Sequence, residues 1–140
     1  MSAADAVLAG RAAAEREMFD TLTAYSPGAP TTVNGFEVPG YTSQGTTPGK
    51  IQGPSAQSSD TATRTVTVGG VELPIIEGGL HIPIGSAVPV AGEYGTGWEY
   101  VLTTPGSSTD PALTNSRWLV VNAPAKSYAT ARRLDVVRLI

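Results

Sequence analysis

Apolar and polar positions follow two different periods along the chain, and the change of period divides it. Over residues 2–19, Val7, Leu8, Met18 and Phe19, with Ala4 and Ala12, form one apolar stripe at helical spacing. Ala3, Ala6, Gly10 and Ala13 form a second face, built of small residues that let another backbone approach closely. Ser2 is placed to cap the first turn, and Asp5 three residues later completes a capping box. Seven alanines in this stretch add helical propensity. The spacing therefore predicts a helix over 2–19, with one face docked on its own domain and the other either incidental or packed on a neighbour.

The period then falls to two. Thr21–Tyr25 is a short strand candidate closed by Ser26-Pro27-Gly28. Residues 26–62 read as a long loop, because 22 of these 37 residues are Gly, Pro, Ser or Thr. Its expected anchors are Phe36, Val38, Tyr41 and Ile51. Arg64–Val68 alternates, Gly69-Gly70 supplies a tight turn, and Val71–Ile75 returns, with Pro74 marking an edge or bulge. Leu80–Ile84, Ala87–Val90, Glu99–Thr103, Trp118–Val121 and Leu134–Leu139 complete the strand candidates. The expected architecture is mainly β: a single domain over 1–140, with a small β-barrel or compact sandwich at 63–140, one N-terminal helix and long loops.

Composition changes this picture in one respect. Charged residues are 15% of the chain and hydrophobic residues 41%, so the surface is poor in charge, as a surface to be covered by a partner is. The net charge of −3 is divided unevenly. From Glu72 to Asp110 there are five acids (Glu72, Glu77, Glu93, Glu99, Asp110) and no Lys or Arg. From Arg117 onward there are five bases (Arg117, Lys126, Arg132, Arg133, Arg138) against Asp135. Either the two sets pair within one subunit, or the acidic face of one copy meets the basic face of the next in a head-to-tail ring. Ala3, Ala6, Gly10, Ala13, Glu72, Glu77, Arg132 and Arg133 are the candidate interface positions on this second reading. Arg132, Arg133 and Arg138 are alternatively a sequence-independent contact for channel DNA.

Catalytic chemistry finds little to build on. There is no Cys, so thiol catalysis, thiolate metal sites and disulfides are excluded. The single histidine, His81, alternates with Leu80, Ile82 and Ile84 and reads as a strand residue rather than a general base. No G-x-S-x-G elbow is present. Gly45–Ile51 has its glycines one residue too close for a phosphate loop and Ile51 where Ser or Thr is needed. No metal, cofactor or catalytic residue is expected. The first 20 residues are too charged for a signal peptide, and no apolar run is long enough to span a membrane. Trp98, Tyr94 and Tyr100 keep open a ligand-binding β-barrel, with carbohydrate as one ligand class.

Gly10-Arg11-Ala12-Ala13-Ala14-Glu15, with Met18 and Asp20 after it, resembles the start of a family of small tailed-phage proteins from actinobacterial viruses. Pro124-Ala125-Lys126-Ser127-Tyr128-Ala129-Thr130-Ala131-Arg132-Arg133-Leu134 resembles that family's C-terminal signature. Thr63–Gly70 and Leu80–Ile84 are similar to its hairpin and following strand, whereas 26–62 and 92–116 depart from its pattern. The resemblance implies a head-to-tail connector: a head-closure or stopper ring, commonly dodecameric, in the neck of a siphophage virion. Its partners would be the portal–adaptor complex, the tail terminator and packaged double-stranded DNA, with assembly in the host cytoplasm. An adaptor or tail terminator is the alternative within the same class.

Overall fold

The structure, a computed structural model, describes residues 2–52, 65–68, 71–74, 76–124 and 130–139, with 52–77 described by backbone alone. Helix α1 (Ala3–Arg16) opens the chain. It is followed by β1 (Asp20–Val33), β2 (Phe36–Gln52), β3 (Thr65–Val68), β4 (Val71–Pro74), β5 (Ile76–Ile82), β6 (Glu99–Thr104), β7 (Arg117–Asn122) and β8 (Arg132–Leu139). The protein is mainly β with a single N-terminal helix among the described residues. Six strands pair antiparallel in a closed ring, in the order β1-β2-β5-β8-β7-β6, while β3 and β4 make a separate two-stranded sheet.

Closure follows from the two-residue alternation. Leu22 and Ala24 on β1, Leu80 and Ile82 on β5, Tyr100 and Leu102 on β6, Trp118 and Val120 on β7, and Leu134 and Val136 on β8 all point inward into one apolar core. Ile51 on β2 packs against it. Between these side chains β2 contributes no bulk at Gly49: a Cβ there would lie 2.4 Å from Leu22 Cδ1 and 3.0 Å from the His81 carbonyl. Asp20, on the same side of β1 as Leu22, is only 3% exposed. It holds the ring's seam, accepting from the Gly106 N–H at 2.7 Å, from the Thr109 hydroxyl and from the Ile51 N–H at 3.3 Å. Trp118 meets its own polar requirement, donating its indole N–H to Ser116 Oγ at 2.8 Å.

The helix has the expected cap. Ser2 Oγ accepts from the Asp5 N–H at 3.1 Å, and Asp5 accepts from the Ser2 N–H at 3.3 Å. It stops at Arg16 rather than running to residue 19: Met18 (7% exposed) is buried against the outside of the ring, and Asp20 opens β1. None of its residues is buried.

The largest correction concerns 26–62. Its first part is no loop: β1 and β2 run through it as one long hairpin, with Val33 opposite Phe36 across Asn34-Gly35. Both turn residues have positive φ (52° and 82°), the geometry of a two-residue hairpin turn. Pro27, Pro30 and Pro39 are tolerated because β1 leaves β6 after Tyr25, so the outer part of the hairpin is a two-stranded ribbon with free edges. Register shifts at Thr23/Tyr25 and Gly28/Thr31 absorb the irregularity. Residues 53–62 lie outside the described ones. Phe36 anchors nothing in its own chain, being 75% exposed.

One further correction is smaller. Ala87–Val90 is not a strand, since Pro89 removes a ladder donor at its centre. The β3–β4 hairpin has the expected register, Val68 opposite Val71 and Val66 opposite Leu73. Its Gly69-Gly70 turn and Ile75 lie outside the described residues. The connection at 105–115 carries one 3-10 turn, Pro111–Leu113, whose Ala112 N–H is capped by Asp110 at 2.9 Å.

Candidate functional site

The outer surface of the ring is where unspent chemistry lies. Residues alternate with the core, so Lys50, His81 and Arg133 leave the outer face side by side: Lys50 is the Cα partner of His81, and His81 that of Arg133. Met18, Ala14 and Glu17, from the end of α1 and the residues after it, wall this row to enclose a cavity of about 160 Å³. Glu17 supplies a counter-charge, 3.4 Å from Lys50 Nζ. Both side chains are largely exposed, which limits this pair to under about 1 kcal/mol. Burial lowers the His81 pKa, and the charges of Arg133 and Lys50 lower it further. The neutral imidazole is thus favoured between two cations.

A second outer row, in register, runs through Val137, Leu119, Glu99 and Tyr25. Leu119, Val137 and Glu99 are buried although they point away from the core. The β1–β2 hairpin contributes to this row. Its Tyr41 hydroxyl accepts from the Gly95 N–H at 2.9 Å and lies beside the Glu99 carboxyl. Burial pushes Tyr41 up to about 12. Burial also raises the Glu99 pKa, with Arg117 and Tyr41 opposing it. Arg117 Nη1 reaches Glu99 Oε2 at 3.4 Å and sits over the Tyr25 ring at 5.9 Å, while Glu99 Oε1 is buried without a hydrogen-bond partner. At this point the acidic and basic halves of the sequence pair inside one subunit.

Over residues 10–137 the chain matches the family model DUF6093, described as a family of unknown function. The chain belongs to DUF6093. No curated protein and no solved structure matches it.

The structure scatters the arginines that the sequence grouped. In this DUF6093 chain Arg132 points to the core side near one end of β8, with its Nε buried and unpartnered and its charge near Tyr100. Arg138 shares that parity at the other end, about 20 Å along the strand. Arg133 is on the outer face. The three therefore make no common DNA surface within a subunit. Of the small-residue face, Ala3, Ala6 and Ala13 are exposed, and Gly10 abuts Thr130 of its own chain, where a Cβ would lie 2.6 Å from Cγ2. Glu72 lies on β4 and Glu77 on β5, in different sheets; their side chains, and Lys126, are outside the description.

Sequence reasoning missed Lys50, His81 and Phe19 as a group. The sequence reads His81 as a strand residue, which it is, but not the cross-sheet neighbours that give it its character. Among the described residues no three acids or histidines gather as a metal site, and no helix is long and apolar enough to cross a membrane. Tyr100 lines a cavity of about 250 Å³ with Ala24, Thr47 and Pro83, but neither Trp98 nor Tyr94 joins it there. The aromatic ligand pocket considered from sequence is not formed by these three side chains.

Proposed function

We propose that this protein is an architectural ring subunit, a head-closure or stopper-like connector in the neck of a tailed phage. The observation that carries this reading is a pair of thinly packed extensions on a closed ring of strands: none of α1 is buried, and the outer ribbon is exposed from Gly28 to Val33. A 14-residue helix with no buried residue is marginal in water, because helices in proteins owe their stability mainly to packing. A two-stranded ribbon is marginal for the same reason, and this one ends in exposed Val33 (51%) and Phe36 (75%). Both gain their missing contacts when copies assemble. Each contact is modest, and a ring multiplies it. The N-terminal, hairpin and C-terminal segments that resemble actinobacterial-phage connectors give the assembly its place in the virion.

The mainly β fold favours a stopper over a portal adaptor, which would be mostly helical. The filled core speaks against a ligand-carrying barrel. The scatter of Arg132, Arg133 and Arg138 leaves the channel-DNA contact without a single-subunit surface, so any such contact has to be composed by the ring.

Two measurements test the reading. Purified protein is expected to form closed rings by negative-stain microscopy and sedimentation as concentration rises. Particles grown without the gene are expected to accumulate as separate heads and tails. A protein that stays monomeric at every concentration, or normal joined particles without it, would refute the proposal.

A further inference from the structure

Where α1 meets the ring, two cavities share Glu17 and Lys50 as a common wall. One is the pocket of Lys50, His81 and Arg133. The other, about 350 Å³, holds Phe19 beside Ile51. Phe19 is 62% exposed, yet its position is fixed: Gly106 packs on its backbone, leaving no room for a Cβ, which would come 2.5 Å from Phe19 Cβ. The result is an aromatic side chain on a fixed backbone, beside a pocket that holds two cations and one acid; Asp20, the second acid of the Phe19 cavity, is buried and already accepts from Gly106, Thr109 and Ile51.

A complementary feature lies on the segment joining β5 to β6. Val88 and Val90 are 61% and 59% exposed, and Glu93, three residues on, is exposed too. This segment is also held in place. The Val90 carbonyl accepts from the Trp98 N–H at 2.9 Å, the Gly92 N–H donates to the Val120 carbonyl at 3.0 Å, and the Glu93 carbonyl accepts from the Thr96 and Gly97 N–H groups at 2.9 and 2.8 Å. Two valines and a carboxylate are thus presented on a fixed backbone anchored at β6 and β7. The cationic patch lies on β2, β5 and β8, with Phe19 just before β1 and against Gly106 after β6. Every subunit therefore presents both patches at once, on different strands, as a head-to-tail contact requires.

We infer that Val88, Val90 and Glu93 of one subunit dock on Phe19, Lys50, His81 and Arg133 of the next. The valines cover Phe19, and the Glu93 carboxylate enters the positive pocket and supplies the charge that Glu17 alone does not. Charge complementarity selects a second copy as the occupant, because this chain itself displays the matching acid between β5 and β6. The inference rests on the assembly reading above and specifies the contact that closes it.

The chain has no cysteine, so an introduced pair reports cleanly. A chain carrying both Phe19→Cys and Val90→Cys, oxidised at a concentration where the parent assembles, is expected to give a ladder of disulfide-linked multimers on a non-reducing gel; Phe19→Cys alone gives no ladder. Arg133→Glu is expected to abolish assembly in light scattering, and adding Glu93→Arg to restore it, with far-UV circular dichroism showing the β fold throughout. If Arg133→Glu loses that spectrum, the cysteine pair, which alters exposed positions, decides. Parent multimers without a ladder, or rings unaffected by Arg133→Glu in a folded chain, overturn this contact while leaving the architectural role intact. A parent that never assembles overturns both.

Discussion

The closed ring and the β1–β2 ribbon are built from the same two strands, yet they spend their sequence differently. At the start of β1, Asp20, Leu22 and Ala24 are buried and alternate with half-buried neighbours; from Gly28 to Val33 every residue is exposed. Pairing with β2 continues throughout, so hydrogen bonding is not what changes. What changes is the second neighbour: β6 pairs with β1 only as far as Tyr25, and beyond it the strand has no interior to face. Backbone pairing can extend a hairpin well past a core, but burial alone makes part of it rigid. The helix repeats the lesson at the other extension, with complete capping and no buried side chain.

Variants that strike the ring should therefore unfold the monomer, and variants in the extensions should not. The largest effect is expected for Trp118→Ala. This side chain is 2% exposed and fills the core between strands, so its loss should cost about 3–5 kcal/mol in a denaturant titration. Phe36→Ala, which removes an equally aromatic side chain from the ribbon tip, should change monomer stability by less than about 0.5 kcal/mol. Equal losses at the two positions would erase the distinction between the regions.

Next comes Asp20→Ala. The carboxylate satisfies two backbone N–H groups and a hydroxyl from two separate segments. Removing it leaves those donors unpaired and should cost about 2–3 kcal/mol. Thermal melts of this variant should still be cooperative, since the apolar core is unchanged. A neutral substitution would mean that water replaces the carboxylate, and that the seam at β1 is not held by it.

Glu99 tests the place where the ribbon touches the ring. Burial raises its pKa in the fold above the unfolded value of 4.5. The folded chain therefore binds this proton more tightly than the unfolded chain. The stability it contributes is full below the unfolded pKa and is lost as pH rises through the folded one. Glu99→Gln should flatten that decline and raise stability at neutral pH by on the order of 1 kcal/mol, because an unpartnered buried carboxylate oxygen no longer carries charge. Arg117 loses its partner but is half exposed, which limits the offset. A Glu99→Gln variant whose stability follows pH as the parent's does would contradict the burial of this carboxyl.

How far the sequence disclosed this division depends on the range of the forces involved. The Ser2–Asp5 cap, the β3–β4 register and the inward residues of β5 to β8 rest on neighbours close in the chain, and alternation and spacing reveal them. The ribbon was hidden because proline and glycine read as loop, although Asn34-Gly35 between Val33 and Phe36 carried the hairpin signal. Arg132 and Arg133 were grouped against the two-residue period, which already sends adjacent strand residues to opposite faces. The row of Lys50, His81 and Arg133 was beyond reach in a different way. It exists only through the pairing of β2, β5 and β8, and ring order is set by packing between elements distant in sequence.

The smallest expected effect is the most pointed test of the comparison. Ser2→Ala removes the side-chain acceptor of the Asp5 N–H and half of the capping box, a loss of about 1 kcal/mol to the helix. Because no residue of α1 is buried, that cost should remain local. The helical part of the far-UV spectrum should fall, while the ring's melting midpoint shifts by less than a degree or two. In assembled multimers the same substitution should matter more, since there the helix has surface to lose. Dissociation on dilution should then begin at a higher concentration than for the parent. If Ser2→Ala instead lowers the monomer's midpoint as a core substitution does, α1 is coupled to the ring more tightly than its few contacts at Gly10 and Ala14 imply. It would then count as part of the folded body rather than as an extension awaiting a neighbour.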